Sequence, residues 1–200
     1  MAEFTVEANC SGSSARAASL CLNEKIIHTP VFMPVGTYGA VKTLLPNEIS
    51  NAGYKLILAN TYHIYLRPGL DVLKSCKGLH RFMNWKDLIL TDSGGYQIFS
   101  LKGLRKIELD GASFQSHIDG KTHKLTPKKI IDIQRVIGSD IMMMLDVCPS
   151  GDDSKRKWEK AVDLTTDWAK RGMDYYNSSS GIYDKEQLLV PIVQGGTNKE

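Results

Sequence analysis

The sequence predicts an α/β fold of the TIM (β/α)8-barrel type, with about five strands present behind a small antiparallel β cap. Short apolar runs alternate with segments of helical spacing, which is typical of parallel βα units, and these runs lie at 31–36, 55–59, 88–90, 141–145 and 188–193. Strands this apolar need cover on both faces. The alternation also fits a doubly wound sheet, but the last four runs end in polar residues, which a parallel barrel would bring to one rim.

The composition is that of an ordinary globular chain. Its 200 residues are 42% hydrophobic and 24% charged, which suits one domain, 1–200, with a buried core. A net charge of +3 permits a nucleic-acid partner without requiring one. No apolar run approaches the ~20 residues of a membrane span, and no signal-peptide pattern opens the chain. The sequence therefore predicts a cytoplasmic protein with no membrane partner.

The N-terminal part contains two kinds of pattern. Residues 1–29 have the alternation of short strands, with a turn at 9–14, and predict the antiparallel cap. Residues 30–200 carry the βα units. Their first strand-like run is interrupted by prolines, and it is followed by short helices, one of them at 70–75, and a connection at 79–85.

The C-terminal part predicts an insertion and two longer helices. Polar and apolar residues alternate near 107–124 around an Asp119 turn, which predicts a β-hairpin inserted between strand and helix. A helix is predicted from a Thr126 cap to a stop at Gly138. A second helix is predicted at 154–176, with its tryptophans packed inward.

The cysteines and histidines predict no metal site within the chain. The four cysteines form no Cys-x-x-Cys pair, and the five histidines lack ligand spacing. Free thiols in a reducing compartment are the simple interpretation. Only His63 lies beside a candidate site, and a hydrogen-bonded structural histidine is the simpler interpretation of it.

The segment TDSGGYQ at 91–97 is the strongest candidate for a functional site. It follows an apolar run, so a buried strand would deliver a carboxylate, a hydroxyl and two glycines to a strand end. The glycines leave room for a ligand to lie against the main chain. A tight turn is the alternative, because Asp, Ser and Gly all favour turns.

Successive predicted strands end in polar side chains that suit one planar ligand. These strand-end residues are Asn60, Asp92, Asp146 and Gln194. Carboxylates and amides facing one pocket match a purine-like lactam: Asp146 would accept its N–H groups, and Gln194 would donate to its carbonyl oxygen. Tyr96 would stack on the base, and Asp92 would move a proton. Taken singly, Asp146 also fits a helix cap or turn, and Gln194 a loop hydrogen bond.

The motifs together resemble those of the tRNA-guanine transglycosylases, also called queuine tRNA-ribosyltransferases. The matching segments are NTYH at 60–63, LRPG at 66–69, TDSGGYQ at 91–97, Asp146 ahead of Cys148, and VQGG at 193–196. Their order and the intervening helices agree over nearly the whole chain, and the combination is highly specific.

The resemblance implies a TIM-barrel enzyme of queuosine biosynthesis, which replaces guanine at the anticodon wobble position of tRNA with a 7-deazaguanine. It implies that Asp92 is the general acid/base. The substrate-binding residues it implies are Asn60, Ser93, Gly94, Gly95, Tyr96, Asp146, Gln194 and Gly195. Its partners would be a tRNA with a G-U-N anticodon, guanine and 7-deazaguanine bases, and a second copy in a homodimer.

The resemblance also implies parts that these residues do not supply. The family forms a covalent ribose intermediate on an aspartate of a later strand, and it holds a structural zinc through three cysteines and a histidine that lie later still. We therefore expect the chain to be the N-terminal portion of a longer protein. Bacterial members commonly have an acidic residue at the place of Val147, which leaves the incoming base open, while Cys148 favours the bacterial type.

Two other functions fit the same residues. The chain could belong to a non-catalytic tRNA-binding or partner subunit of the same family. An unrelated TIM-barrel enzyme acting on a small sugar or phosphate through Asp92 and Asp146 is the other alternative.

Overall fold

The computed structural model describes residues 2–101 and 105–196. The strands are β1 Glu3–Asn9, β2 Arg16–Leu22, β3 Lys25–Thr29, β4 Leu56–Ala59, β5 Leu88–Thr91, β6 Arg105–Glu108, β7 Gly111–Gln115, β8 Thr122–Leu125, β9 Ile141–Met143 and β10 Leu188–Val190. The helices are α1 Pro46–Asn51, α2 Thr61–Ile64, α3 Leu70–Ser75, α4 Leu79–Met83, α5 Gly95–Ser100, α6 Pro127–Ile137 and α7 Lys155–Ser178. None of the helices in these two ranges is long and apolar enough to cross a membrane.

A parallel sheet of β4, β5, β9 and β10 forms the centre, and neighbours in sequence are neighbours in space. A doubly wound sheet reverses its strand order at a switch point, and these four strands do not. The predicted strand at 31–36 is reduced to one parallel bridge between Val35 and Leu58, because Pro30 and Pro34 cannot donate to a longer ladder. The fold is α/β, with this parallel sheet and two small antiparallel sheets.

The two faces of the parallel sheet pack against different layers. Ile57, Ile89 and Met142 belong to the main core, which they share with residues of the helices. Leu56 and Leu88, on the opposite face, form a second cluster with apolar residues of β2 and β3. The antiparallel sheet β1–β2–β3 therefore covers the N-terminal end of that second face.

The insertion is larger than the predicted hairpin. β6, β7 and β8 form a three-stranded antiparallel sheet, of which the prediction at 107–124 contained the β7–β8 pair. β6 has the sequence RKIE and is mostly exposed, so it lacks the apolar alternation that marks a strand. The sheet packs on α2 and the turn after it, where Tyr62 contacts Phe114 and the Tyr65 hydroxyl lies 3.0 Å from Nδ1 of His123.

The helix at Thr126 begins and ends as predicted. The Thr126 hydroxyl accepts from the Lys129 N–H at 3.1 Å, and Gly138 closes the helix with a left-handed φ of 73°. The segment predicted as a connection at 79–85 instead contains α4, a helix of five residues that is too short to show periodicity. Trp168 of α7 is fully buried, as predicted for the inward face of that helix, whereas Trp158 is only partly buried.

Candidate functional site

Polar side chains follow each strand of the parallel sheet at its C-terminal end. Asn60 follows β4 directly, and Asp92 follows β5 directly. Asp146 comes three residues after β9, and Gln194 comes four residues after β10. Because the strands are parallel and in sequence order, all four side chains lie along one edge of the sheet.

The Asp92 carboxylate is held by four N–H donors. Its Oδ1 accepts from the backbone N–H of Thr61 at 2.8 Å and from that of Gly94 at 3.1 Å. Its Oδ2 accepts from the side-chain amides of Asn60 at 2.6 Å and Gln97 at 3.2 Å. The orientation of the carboxylate is therefore fixed by the residues after the C-terminal end of β4 and by the turn into α5.

The Asp146 carboxylate is buried and has two side-chain partners. The Ser93 hydroxyl donates to its Oδ1 at 2.9 Å, and Nε2 of Gln194 donates to its Oδ2 at 2.7 Å. Burial raises the pKa of Asp146 above its ordinary value, and the charge of Asp92 raises it further, against the two hydrogen bonds. Asp146 therefore keeps its proton to a higher pH than an exposed aspartate does.

Ser93 connects the two carboxylates, since it follows Asp92 in the chain and donates to Asp146. The Gly95 N–H donates to the Ser93 hydroxyl oxygen at 3.1 Å. A Cβ at position 95 would lie 3.0 Å from both the backbone oxygen and Oδ1 of Asp146, which is tighter than nine in ten real Cβ contacts. A larger residue where α5 begins would therefore push against the Asp146 loop.

Tyr96 and Gly195 lie on the open side of the site. The Tyr96 ring is 71% exposed and borders a cavity of about 800 Å³ that Val147 and Cys148 also line. Gly195 has a φ of 139°, and among the described residues nothing lies within 4 Å of the position a Cβ would take. Of the predicted site residues only Tyr96 lines this cavity; Asp92, Asp146 and Gln194 do not.

Two residues that hold Asp92 were missed among the candidate site residues. Thr61 contributes its N–H, and its hydroxyl donates to the Asp92 carbonyl oxygen at 2.6 Å. Gln97 contributes its amide. Both lie inside the motifs NTYH and TDSGGYQ, so their proximity in sequence to Asn60 and Asp92 was the available signal.

His63 lies in an aromatic cluster beside Asp92. Its ring packs edge-on against Tyr62 and Tyr38, with centroids 5.1 and 4.9 Å apart. Burial lowers the pKa of His63, the nearby His117 lowers it further, and the charge of Asp92 acts in the opposite direction. The ring is packed, but its buried Nδ1 has no hydrogen-bond partner among the described residues, so the prediction of a hydrogen-bonded histidine is wrong.

The described residues offer no fit for the zinc that the resemblance implies. Within 2–101 and 105–196, no three His, Cys, Asp or Glu side chains come together as metal ligands. Cys10, Cys21, Cys76 and Cys148 are free thiols.

Comparisons with known proteins show the family of this chain. The family model described as Queuine tRNA-ribosyltransferase matches residues 10–200. Proteins of that name from Leptospira biflexa and Thermodesulfovibrio yellowstonii are 54% and 50% identical, over 94% and 91% of this chain and 50% and 46% of the relative. One from Dictyoglomus turgidum is 52% identical over 87% of this chain and 44% of its own length. The chain spans about half the length of these curated bacterial relatives, and it belongs to the queuine tRNA-ribosyltransferase family.

Proposed function

We propose that the whole protein is a tRNA-guanine transglycosylase, which replaces guanine at the anticodon wobble position with a 7-deazaguanine in queuosine biosynthesis. One observation carries the proposal: hydrogen bonds run along four consecutive strand ends, from Asn60 to Asp92 and from Ser93 and Gln194 to Asp146. Such a row presents acceptors and donors to one flat heterocycle. The names of the relatives support the same activity.

In this proposal, Asp146 and Gln194 recognise the base. Without a base they satisfy each other through the 2.7 Å bond from Nε2 of Gln194 to Oδ2 of Asp146. Guanine offers two adjacent N–H donors and a carbonyl acceptor on one edge. The base would take the Asp146 oxygens and release the Gln194 amide to donate to the carbonyl. Tyr96 would stack on the base from the exposed side.

Asp92 would transfer the proton of the exchange. The four donors on its carboxylate fix its position next to the base site, which is what general acid/base catalysis requires. An aspartate outside these residues would hold the ribose covalently between departure of guanine and arrival of the new base. The target nucleotide must leave its stack to reach this edge.

The finer assignments belong to the same proposal. The sheet of four parallel strands would be part of one TIM-barrel domain, 1–200, with 1–29 as its cap. The rest of the protein would complete the barrel. A tRNA with a G-U-N anticodon would be the substrate, and a second copy would complete a homodimer. The zinc would lie outside these residues, and the cytoplasm would be the place of action.

One assay separates this proposal from the alternatives: incorporation of labelled guanine into a tRNA with a G-U-N anticodon, by the full-length protein. Exchange that depends on the tRNA supports the transglycosylase. A non-catalytic subunit would bind the tRNA without exchange. An enzyme acting on a small sugar or phosphate would show no dependence on tRNA.

We expect Asp146→Asn to weaken guanine binding by roughly 10- to 100-fold, because a hydrogen bond to a charged acceptor contributes about 1.5–3 kcal/mol. The wild-type affinity should fall on acidification through the raised pKa of Asp146, since the protonated acid no longer accepts both N–H groups. Calorimetric titration with guanine across mildly acidic to neutral pH measures both effects.

The stability of Asp146→Asn provides the control. A carboxyl whose pKa is raised by folding contributes stability below its unfolded pKa and loses it as the pH rises through the folded value. At neutral pH the asparagine should therefore leave the urea midpoint unchanged or raise it. Unchanged guanine affinity in this variant would contradict the role of Asp146.

A further inference from the structure

Gln134 lies in the core, yet its carboxamide joins the two strands that carry Asp92 and Asp146. It belongs to α6 and is fully buried. Its Oε1 accepts from the Thr91 hydroxyl at 2.7 Å and from the Met143 N–H at 3.1 Å. Its Nε2 donates to the Met143 carbonyl oxygen at 3.0 Å. Thr91 ends β5 and Met143 ends β9, so the amide spans both strand ends.

This amide extends a short ladder. β5 and β9 pair through two residue pairs, the second of which is Thr91 with Met142. On the other side of β5, the Asp92 N–H continues the ladder with β4 by donating to the carbonyl oxygen of Ala59. The Gln134 side chain has the donor and acceptor of a peptide group, and it pairs with both backbone groups of Met143. It thus takes the place of the next strand residue, just before the two strands diverge into the site.

Every hydrogen-bonding group of the Gln134 amide is used. Nε2 also reaches the Ile130 carbonyl oxygen at 3.4 Å. The Thr91 hydroxyl gives its one hydrogen to Gln134, so in the 2.7 Å contact between the two hydroxyls Ser139 donates to the Thr91 oxygen. A buried network in which all members are satisfied holds its groups rigidly. Thr91 is one residue before Asp92, and Met143 is three before Asp146, so this rigidity reaches both carboxylates.

We propose that Gln134 is a positioning residue for base exchange, whose carboxamide fixes the spacing between Asp92 and Asp146 without touching the substrate. The inference rests on the proposed function for the identity of the reaction. Its physical basis is the sensitivity of catalysis to geometry, because a displacement of ~1 Å can lower a rate by about 10²-fold. The volume of the Gln134 side chain fills the core, whereas its hydrogen-bond donor and acceptor hold the ends of β5 and β9 at a fixed spacing.

The test uses full-length Gln134→Met, which keeps the volume and removes the hydrogen bonds. We expect kcat/KM for guanine exchange to fall roughly 10- to 100-fold in protein that is folded by circular dichroism. The pH profile of guanine binding should also shift, because the surroundings of Asp146 change. Ile133→Val, at a buried apolar position of the same helix, is the matched control and should leave both measurements unchanged.

A second variant covers the case in which Gln134→Met does not fold. In Gln134→Glu, the neutral acid accepts from Thr91 and Met143 and donates to the Met143 carbonyl oxygen, as the amide does. A buried carboxyl ionises at a raised pKa. Exchange should be close to wild type at mildly acidic pH and should fall relative to wild type as the pH rises, while circular dichroism stays constant.

Wild-type kinetics and an unchanged pH profile in Gln134→Met, with only a lower melting temperature, would show a merely structural role and overturn the proposal. A constant ratio of Gln134→Glu to wild-type activity over pH would do the same. Failure of the wild-type protein to exchange guanine would instead count against the proposed function. The two failures are therefore distinguishable.

Discussion

Full-length protein carrying Asp92→Asn is expected to lose base exchange by roughly 100- to 10,000-fold in kcat, the range that a general acid or base contributes. The asparagine amide has no proton to transfer at neutral pH, while it keeps the shape of the aspartate. Single-turnover incorporation of labelled guanine into tRNA measures the loss. Base binding should change far less, because Asp146 and Gln194 are left in place.

The surroundings of Asp92 can accept the asparagine without unfolding. Its oxygen keeps the N–H groups of Thr61 and Gly94 as donors. Its new amide nitrogen faces the side-chain amides of Asn60 and Gln97, and both must turn over to present their oxygens as acceptors. The buried Oε1 of Gln97 is free for this, since it has no hydrogen-bond partner among the described residues. Asp92→Ala would also stop the exchange, but it leaves the Asn60 and Gln97 amides without their acceptor.

Asp132→Asn is the matched control, since this carboxylate of α6 accepts from the Tyr175 hydroxyl away from the strand ends. It should exchange guanine at the wild-type rate. Exchange at the wild-type rate by Asp92→Asn would end the assignment of Asp92 as acid/base, and a nearby group such as His63 would then be the next residue to test.

The parts of the fold that local chemistry decides could be predicted from the sequence. Thr126 caps α6 because a hydroxyl at that position satisfies a free N–H, and Gly138 ends it because the left-handed conformation favours glycine. The polar residues at the strand ends could be predicted because they follow apolar runs directly, as Asp92 follows β5. For each of these features, the residues that determine the structure are neighbours in the sequence.

The parts that depend on partners distant in the chain could not be predicted. The bond between Gln194 and Asp146 joins residues 48 apart, and no local pattern distinguishes it from two loop residues. β6 forms because its backbone pairs with that of β7, although the side chains of β6 are mostly exposed. For Gln134 the sequence predicts only a position in a helix, because its hydrogen bonds depend on the ends of two strands that pack on it.

The largest effect on stability is expected from Asp140→Ala, which should lower the free energy of unfolding by about 3–5 kcal/mol. Asp140 is 2% exposed. Its Oδ2 accepts from the Ile89 N–H at 2.8 Å and pairs with Nε2 of His80 at 2.9 Å. Its Oδ1 pairs with Nζ of Lys185 and accepts from the Asn23 amide, both at 2.9 Å. Removing the carboxylate takes this acceptor from the Ile89 N–H and the Lys185 ammonium group, while the His80 ring and the Asn23 amide each keep one backbone carbonyl partner.

Urea unfolding of the full-length protein measures this loss. Asp110→Ala is the control, because Asp110 forms an exposed ion pair with Lys124, and it should change the midpoint little. A midpoint for Asp140→Ala equal to that of the control would show that the buried network contributes nothing to stability.

The contribution of Asp140 can also be measured from how the free energy of unfolding depends on pH. Burial acts to raise the pKa of Asp140, but the hydrogen bonds and charges of His80 and Lys185 outweigh it and hold the pKa below its ordinary value of 3.8. A depressed carboxyl pKa contributes stability that is present above the unfolded pKa and is lost as the pH falls toward the folded one. The difference between wild type and Asp140→Ala should therefore be full at neutral pH and shrink below about pH 4.

Asp140 and Asp146 stand at opposite ends of β9, and their surroundings move their pKa values in opposite directions. At the N-terminal end, the interactions with His80 and Lys185 outweigh the burial of Asp140 and favour its charged form. At the C-terminal end, burial and the nearby Asp92 disfavour the charge of Asp146, and the N–H groups of a bound base would stabilise that charge. Asp140→Ala should accordingly lower the urea midpoint while the folded fraction keeps its kcat. Asp146→Asn should keep or raise the urea midpoint while its affinity for the base falls. A loss of kcat in folded Asp140→Ala protein would show that the two ends of the strand are coupled.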